Sequence, residues 1–538
     1  MELILYNGNI KTMEEAQPRA EAVAVCNGVI AAVGTNEAIL SLKTADTAVV
    51  DLEGKTVLPG FHDSHMHLLS LGYAEEKLEL SAVRSLDELI REGRRYVEKN
   101  PSVRWIHGRG WNNELWEDKT LPTRYDLDRI SAEIPIVLAR ACNRMLVTNS
   151  RALAVARITP QTPQPPRGHF DTDDNGMPLG CFWDEGRELI WRAMPPMRPE
   201  DMRRLIQNAG SGLLRYGITS VHSDDFEAVT EKDFDDLMSV LVDMDEKGEL
   251  PVRLFAQCRW TTPAMAERFL DRGYRSGFRR DRFCVESLKL LADGVLGTRS
   301  ALLSRPYEDM PETSGHAEHS QEELNRLTLL AHRRKTAVSI HAIGDQGLDM
   351  ALNAIAYAKK MCPETAVRHA VIHCQITRPD QFERMRLLGV TAHLQPIFID
   401  TDQHIVPLRV GEERAKTSYC WRTIVNEGIP YAFGSDSPVC TSEVTKGIYC
   451  AVTRRDLAGN PPDGWMPEQK LTVRQAVHGY TLGAAFAAGA EDRLGSITVG
   501  KQADLAVLPD DIFAVPHDAI KDLRVRMTVL GGRVVYRE

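Results

Sequence analysis

The stretch LPGFHDSHMHLL, residues 58–69, sets three histidines within six residues, directly after an apolar run that ends in Pro-Gly. On an extended strand side chains alternate faces, so His65 and His67 point one way and His62 the other. Two neutral imidazoles then converge on one spot, which is what a zinc-like cation requires of its ligands. Further ligands must come from elsewhere in the chain. Short apolar segments supply them: VLPGFHDSH (57–65), ITSVHSD (218–224), VRLFAQC (252–258), ESLKLLADG (286–294), AVSIHAIG (337–344), AVIHCQ (370–375), GVTAHLQP (389–396) and YAFGSDSP (431–438). They alternate with helix-like stretches and end in polar residues, a pattern that predicts an α/β fold with a closed (β/α)8 TIM-type barrel. Its functional face is the C-terminal end of the strands.

The residues at those strand ends form a metal set. His65 and His67 end the first strand, Lys289 lies in the fourth, His341 ends the fifth, His373 the sixth and Asp436 the eighth. Alone, His341 or His373 reads as a satisfied core histidine and Asp436 as a turn residue; together they read as one site. Lys289 has two readings. It pairs with Asp293 or Glu286, or burial lowers its amine from the usual value of about 10.4, so that the neutral form adds carbon dioxide and becomes a carbamate. A carbamate bridges two divalent ions about 3.5–4 Å apart, with His65, His67 and Asp436 on one and His341 and His373 on the other. One or two Zn2+ ions are the expected metal. His222 ends the second strand and is expected beside the site, with His62 packed behind it.

Residues 70–205 are too many for an ordinary strand-to-helix connection and are expected to form an insertion, placed on the face where it would cover the site. It carries further strand segments, RWIHGRGW (104–111) and IPIVLARA (134–141). Both chain ends read as β. Asn27-Gly28 and Gly531-Gly532 sit between apolar runs as hairpin turns. The expected organisation is a composite small β domain from residues 1–56 and 490–538, and a barrel over 57–489. Thr472 followed by Gln475 predicts a capped helix running to Gly489.

A net charge of −10 over 538 residues argues against a nucleic-acid partner. No apolar run reaches the length of a membrane span, and MELILYNGNI lacks a secretory pattern, so a cytoplasmic protein with a small-molecule substrate is expected. The ten cysteines are scattered singly, without a CxxC pair. Cys374 beside His373 reads as an inert buried thiol.

The motifs LPGFHDSHMH, LKLLADGVLGTRSALLSRPY (288–307), SIHAIGDQGLDMAL (339–352), AVIHCQ, FGSDSPV (433–439) and LGSITVGKQADLAVL (494–508) resemble the amidohydrolase superfamily, in the branch containing N-substituted formamide deformylase. The resemblance implies a metal-dependent barrel with a β-sandwich built from both chain ends, and a homodimer. It implies hydrolysis of a C–N bond in an amide or N-substituted formamide by metal-activated hydroxide, Asp436 taking the proton and returning it to the leaving nitrogen. Two other readings stand beside it: a deaminase of an amino-substituted heterocycle, and a non-catalytic scaffold or regulatory protein. One departure concerns CNRMLVTNS (142–150), where Arg144 stands in place of the branch's histidine. Arg144 reads as a bidentate anion fork or as a paired surface arginine. Trp111 reads as an apolar substrate wall or a core residue, and Glu185 as a polar anchor or a helix N-terminal carboxylate. Arg299 reads as a substrate contact or as the partner of Glu308 or Asp309.

Overall fold

Strands at Phe61–Met66, Ile218–Ser223, Arg253–Cys258, Phe283–Leu291, Ala337–Ala342, Ala370–His373, Thr391–Leu394 and Tyr431–Phe433 form one eight-stranded sheet in chain order. Every neighbouring pair is parallel. The first and eighth strands meet through backbone bonds, His67 N–H to Ser437 O and Asp436 N–H to His65 O, each 2.8 Å. This nearly closed barrel is TIM-type. At the seam the Asp63 carboxylate accepts the N–H groups of His65 and Ser435, both at 3.1 Å. Gly434 permits that approach, since a Cβ there would lie 2.6 Å from His65 N. The structure, a computed structural model, describes residues 1–101, 103–142 and 144–538.

The chain divides into two compact units, Met1–Gly72 with Pro199–Glu538, and Tyr73–Arg198. In the first, Thr56–Pro59 pairs antiparallel with Leu505–Leu508 and parallel with Asn9–Lys11, so one sheet joins both chain ends. A second sheet orders Val29–Gly34, Ala22–Cys26, Leu3–Tyr6 and Ala48–Asp51. Leu5, Val23, Val25, Val57, Leu505, Val507 and Val529 from the two sheets share one buried cluster. Each such side chain contributes about 1.5–3 kcal/mol on burial. Asn27 and Gly28, with φ 52° and 75°, make the expected tight hairpin turn, as do Gly531 and Gly532 with φ 54° and 78°. The helix after Thr472 is shorter than its sequence suggests. Thr472 and Gln475 form the capping box, but the helix stops at Gly479, and a second one spans Leu482–Ala487 beyond a non-helical Thr481.

The second unit has its own six-stranded sheet, ordered Gly168–Thr172, Pro178–Asp184, Met145–Thr148, Ile136–Arg140, Ile106–Trp111 and Leu78–Glu79. Leu78, Leu89, Ile106, Trp111, Leu138 and Val147 belong to its core. Among the described residues, no helix is long and apolar enough to cross a membrane.

Candidate metal centre

The imidazoles at the strand ends gather with Asp436 and Lys289 on the barrel's C-terminal side. His65 and His67 ring centroids lie 5.1 Å apart, His65 and His373 5.6 Å, and His341 and His373 4.5 Å. Asp436 Oδ1 is 3.1 Å from His67 Nε2 and 3.4 Å from His65 Nε2. His65, His67 and Asp436 offer three ligand atoms all within 4.8 Å of one another. Lys289 Nζ lies 3.2 Å from His65 Nε2. Its two sequence-level partners are otherwise engaged: Glu286 beside His222 at 3.2 Å, and Asp293 by the N–H groups of Leu302, Ile343 and Gly344.

Each of the four imidazoles has one nitrogen on a carbonyl-type oxygen, which can only accept. His67 Nδ1–H donates to Asp224 O at 3.0 Å and His341 Nε2–H to Gly294 O at 3.0 Å. His65 Nδ1–H donates to Gln257 Oε1 at 2.6 Å and His373 Nδ1–H to Gln395 Oε1 at 2.8 Å. In His65, His341 and His373 the opposite nitrogen keeps its lone pair, the form in which histidine binds metal, whereas His67 Nε2 faces the Asp436 carboxylate at 3.1 Å. Burial pushes His65 and His341 well below the usual imidazole range and His373 down to about 4. Burial likewise draws the Lys289 ammonium down to about 8. His67 differs: burial opposes its charge, but the Asp436 hydrogen bond and the Asp436, Glu227 and Asp224 carboxylates lift it to about 9. Burial also opposes ionisation of Asp436, yet His67 outweighs it and holds the carboxyl below its ordinary value. The donors fit a divalent cation: neutral His65, His341 and His373 and an ionised Asp436, out of water, with His67 releasing its Nε2 proton when a cation takes that place. His373 and Asp436 hold this arrangement in left-handed backbone, φ 82° and 57°, a conformation that costs a residue bearing a Cβ about 1 kcal/mol or more.

His62 departs from strict alternation. Between Asp63 and Met66 the first strand carries three steps against the two from Val221 to Ser223 on the second. That bulge resets the facing, so residues three apart share a side. His62 packs against His222 and Phe255, with ring centroids 4.7 and 5.1 Å away, and His222 meets His393 of the seventh strand at 5.5 Å. Contact between the second and seventh strands crosses the interior. His62 thus lies inside the barrel with His222 rather than on the opposite face of the strand from His65.

The four expected substrate contacts have local partners. Trp111 is fully buried, and its Nε1–H donates to Leu138 O at 3.0 Å, so it is a core residue of the second unit, not a substrate wall. Arg144 Nε donates to Asp184 at 2.9 Å, and Glu185 pairs with Arg167 at 2.9 Å. Arg299 binds both oxygens of Asp309, at 3.1 and 2.8 Å. Four residues not singled out in the sequence stand at the site instead. Asp224 directly follows the second strand, Gln257 is next to last in the third, Gln395 follows the seventh, and Arg259 bridges Asp224 at 2.8 Å and Glu227 at 2.9 Å. The signal was present, since Asp224, Gln257 and Gln395 are terminal polar residues of strand segments already recognised. All ten cysteines are free thiols, and burial pushes Cys374 up to about 12.

This barrel with its convergent histidines agrees with the sequence relationships. Residues 48–536 match the amidohydrolase family, and the chain belongs to it. It is 32% identical to YtcJ of Bacillus subtilis (strain 168), covering 100% of both chains. It is 26% identical to N-substituted formamide deformylase of Arthrobacter pascens, over 99% of this chain and 98% of that one. An uncharacterized metal-dependent hydrolase from Pyrococcus horikoshii OT3 superposes with a TM-score of 0.78 at 29% identity, covering 96% of this chain and 99% of its own.

Proposed function

We propose that this chain is a metal-dependent hydrolase of a non-peptide C–N bond, in an amide or an N-substituted formamide. The observation that carries the reading is the set of four imidazoles, each tied at one nitrogen to a carbonyl oxygen, meeting Asp436 and Lys289 at the barrel strand ends. His65, His67 and Asp436 would hold one ion, His341 and His373 a second, with Lys289 shared as a carbamate. The bound metal, most simply Zn2+, supplies a Lewis acid and makes water a nucleophile near neutral pH.

The chain's own groups do the rest. Asp436, ionised at neutral pH, accepts a proton at Oδ1 from the attacking water and returns it to the departing nitrogen. Gly294 O fixes His341 in a single tautomer, and Asp224 O holds the His67 ring by its Nδ1–H. Arg259 holds Asp224 from the far side and so steadies the loop that carries that carbonyl. The resemblance to a formamide deformylase supports this bond class, since the chain covers nearly the whole of that relative.

The test is elemental mass spectrometry on protein purified without chelator and with bicarbonate, followed by a screen of amides and formamides for amine, acid or ammonia release. About two ions per chain, falling on Lys289→Ala, with amine or formate released, supports the reading. One ion insensitive to Lys289 with ammonia as product moves it to a deaminase. A folded protein without metal sinks it.

A further inference from the structure

We infer that Gln257, its amide donating to Ser64 O beside Glu286, is a positioning residue that sets the tautomer of His65, and that Gln395 does the same for His373. The inference rests on the metal-site reading above. Both side chains are buried, Gln257 completely and Gln395 at 2% exposure, so water cannot substitute for their hydrogen bonds.

A carboxamide beside an imidazole is ambiguous, because its oxygen accepts and its nitrogen donates. Turned one way it demands an N–H from the ring; turned the other it offers one. The neighbours of Gln257 remove the choice. Its NH2 donates to Ser64 O at 3.5 Å on the side where the Glu286 carboxylate also lies, and both of these are acceptors only. The oxygen must therefore face His65, which donates from Nδ1 at 2.6 Å. The lone pair of His65 is then on Nε2, the atom 3.2 Å from Lys289 Nζ and 3.4 Å from Asp436 Oδ1. Glu286 is itself fixed: His222 Nδ1 lies 3.2 Å away, and the hydroxyls of Ser287 and Ser339 donate to it at 3.2 and 3.4 Å. Gln395 repeats the device more simply. Its Nε2 donates to His393 O at 3.2 Å, so Oε1 is left to accept from His373 Nδ1 at 2.8 Å.

This accounts for a carboxylate, Glu286, buried one layer below the site and touching none of the metal set. The Nδ1 side of His65 is thus oriented by a neutral amide and not by direct contact with the Glu286 carboxylate. A direct carboxylate–imidazole contact would raise ligand basicity further.

The experiment is zinc affinity of the chelator-stripped full chain, read by competition with a chromophoric chelator, with circular dichroism on each variant. Gln257→Leu, which has no acceptor for His65, is expected to bind zinc 10–100-fold more weakly. Gln257→Glu is expected to lose at least as much, because it abuts Glu286. The exchange Gln257→Glu with Glu286→Gln restores one donor amide and one acceptor carboxylate in an almost isosteric pair, and is expected to recover affinity to within about fivefold of wild type. A merely structural role would not be rescued in this way. Unchanged affinity in Gln257→Leu, or an exchange pair as weak as Gln257→Glu alone, overturns the assignment. Wild type that binds no zinc overturns the metal site itself, a different result from selective failure of the variants.

Discussion

The barrel strand ends and the segment Tyr73–Arg198 treat their polar residues in opposite ways. At the strand ends six ligand-type side chains are driven out of water toward one another, and four imidazoles, a carboxylate and an amine must share one space. In the inserted segment each candidate has found a local partner: Trp111 a backbone carbonyl, Arg144 an aspartate, Glu185 an arginine. The difference teaches that burial without private satisfaction marks a site better than residue type does.

The sharpest way to break this comparison is Asp436→Asn, which removes the proton acceptor but keeps the shape. Turnover of an amide substrate is expected to fall by about 10³-fold or more, roughly 4 kcal/mol of barrier. Activity within tenfold of wild type would place the chemistry elsewhere. Next in size, Trp111→Ala should cost about 3–5 kcal/mol in denaturant unfolding, as for a large aromatic cut from a core. Zinc per folded chain should stay unchanged; a fall in metal content would show that the two regions are coupled.

A third prediction concerns buried histidines that are privately satisfied. His332 Nδ1 lies 2.9 Å from His369 Nε2, and His369 Nδ1 accepts the Val338 N–H at 3.0 Å. Burial pushes His369 down to about 3. Its folded value lies below the unfolded one, so between about pH 6.5 and 3 the unfolded chain binds the extra proton. Stability is then complete above about 6.5 and is lost on acidification, by up to about 1.4 kcal/mol per pH unit from this group. His369→Gln should flatten the acid limb of the stability profile measured by urea unfolding. An unaltered slope would assign the acid sensitivity to other groups. The smallest effect belongs to Arg144→Ala and Arg299→Ala, both exposed ion pairs at the surface. Neither should move metal content or the unfolding midpoint measurably, and a large rise in KM for either would return it to the site.

The barrel was legible because its strands are short apolar runs ending in polar residues, and every one of the eight segments overlaps a strand of the sheet. His65 and His67 were legible for the same reason. His62 was not, because a one-residue bulge changes facing without leaving a mark in the alternation of residue types. The role of Trp111 was equally hidden. A tryptophan in a strand reads alike whether its indole faces a ligand or a neighbouring strand, and only the core around it decides. Gln257 and Gln395 were visible as strand-end residues, but the direction of a carboxamide is set by neighbours far away in the chain.

Thr56–Pro59 lies between Asn9–Lys11 and Leu505–Leu508, and Gly60 alone separates it from the barrel strand that carries His65. A Cβ at Gly60 would come 2.3 Å from Thr219 Oγ1, so this junction tolerates no side chain without displacement. During synthesis the strand bearing the first histidines leaves the ribosome long before Leu505–Leu508, the partner that clamps its root, so every metal-site residue is made before that root is secured.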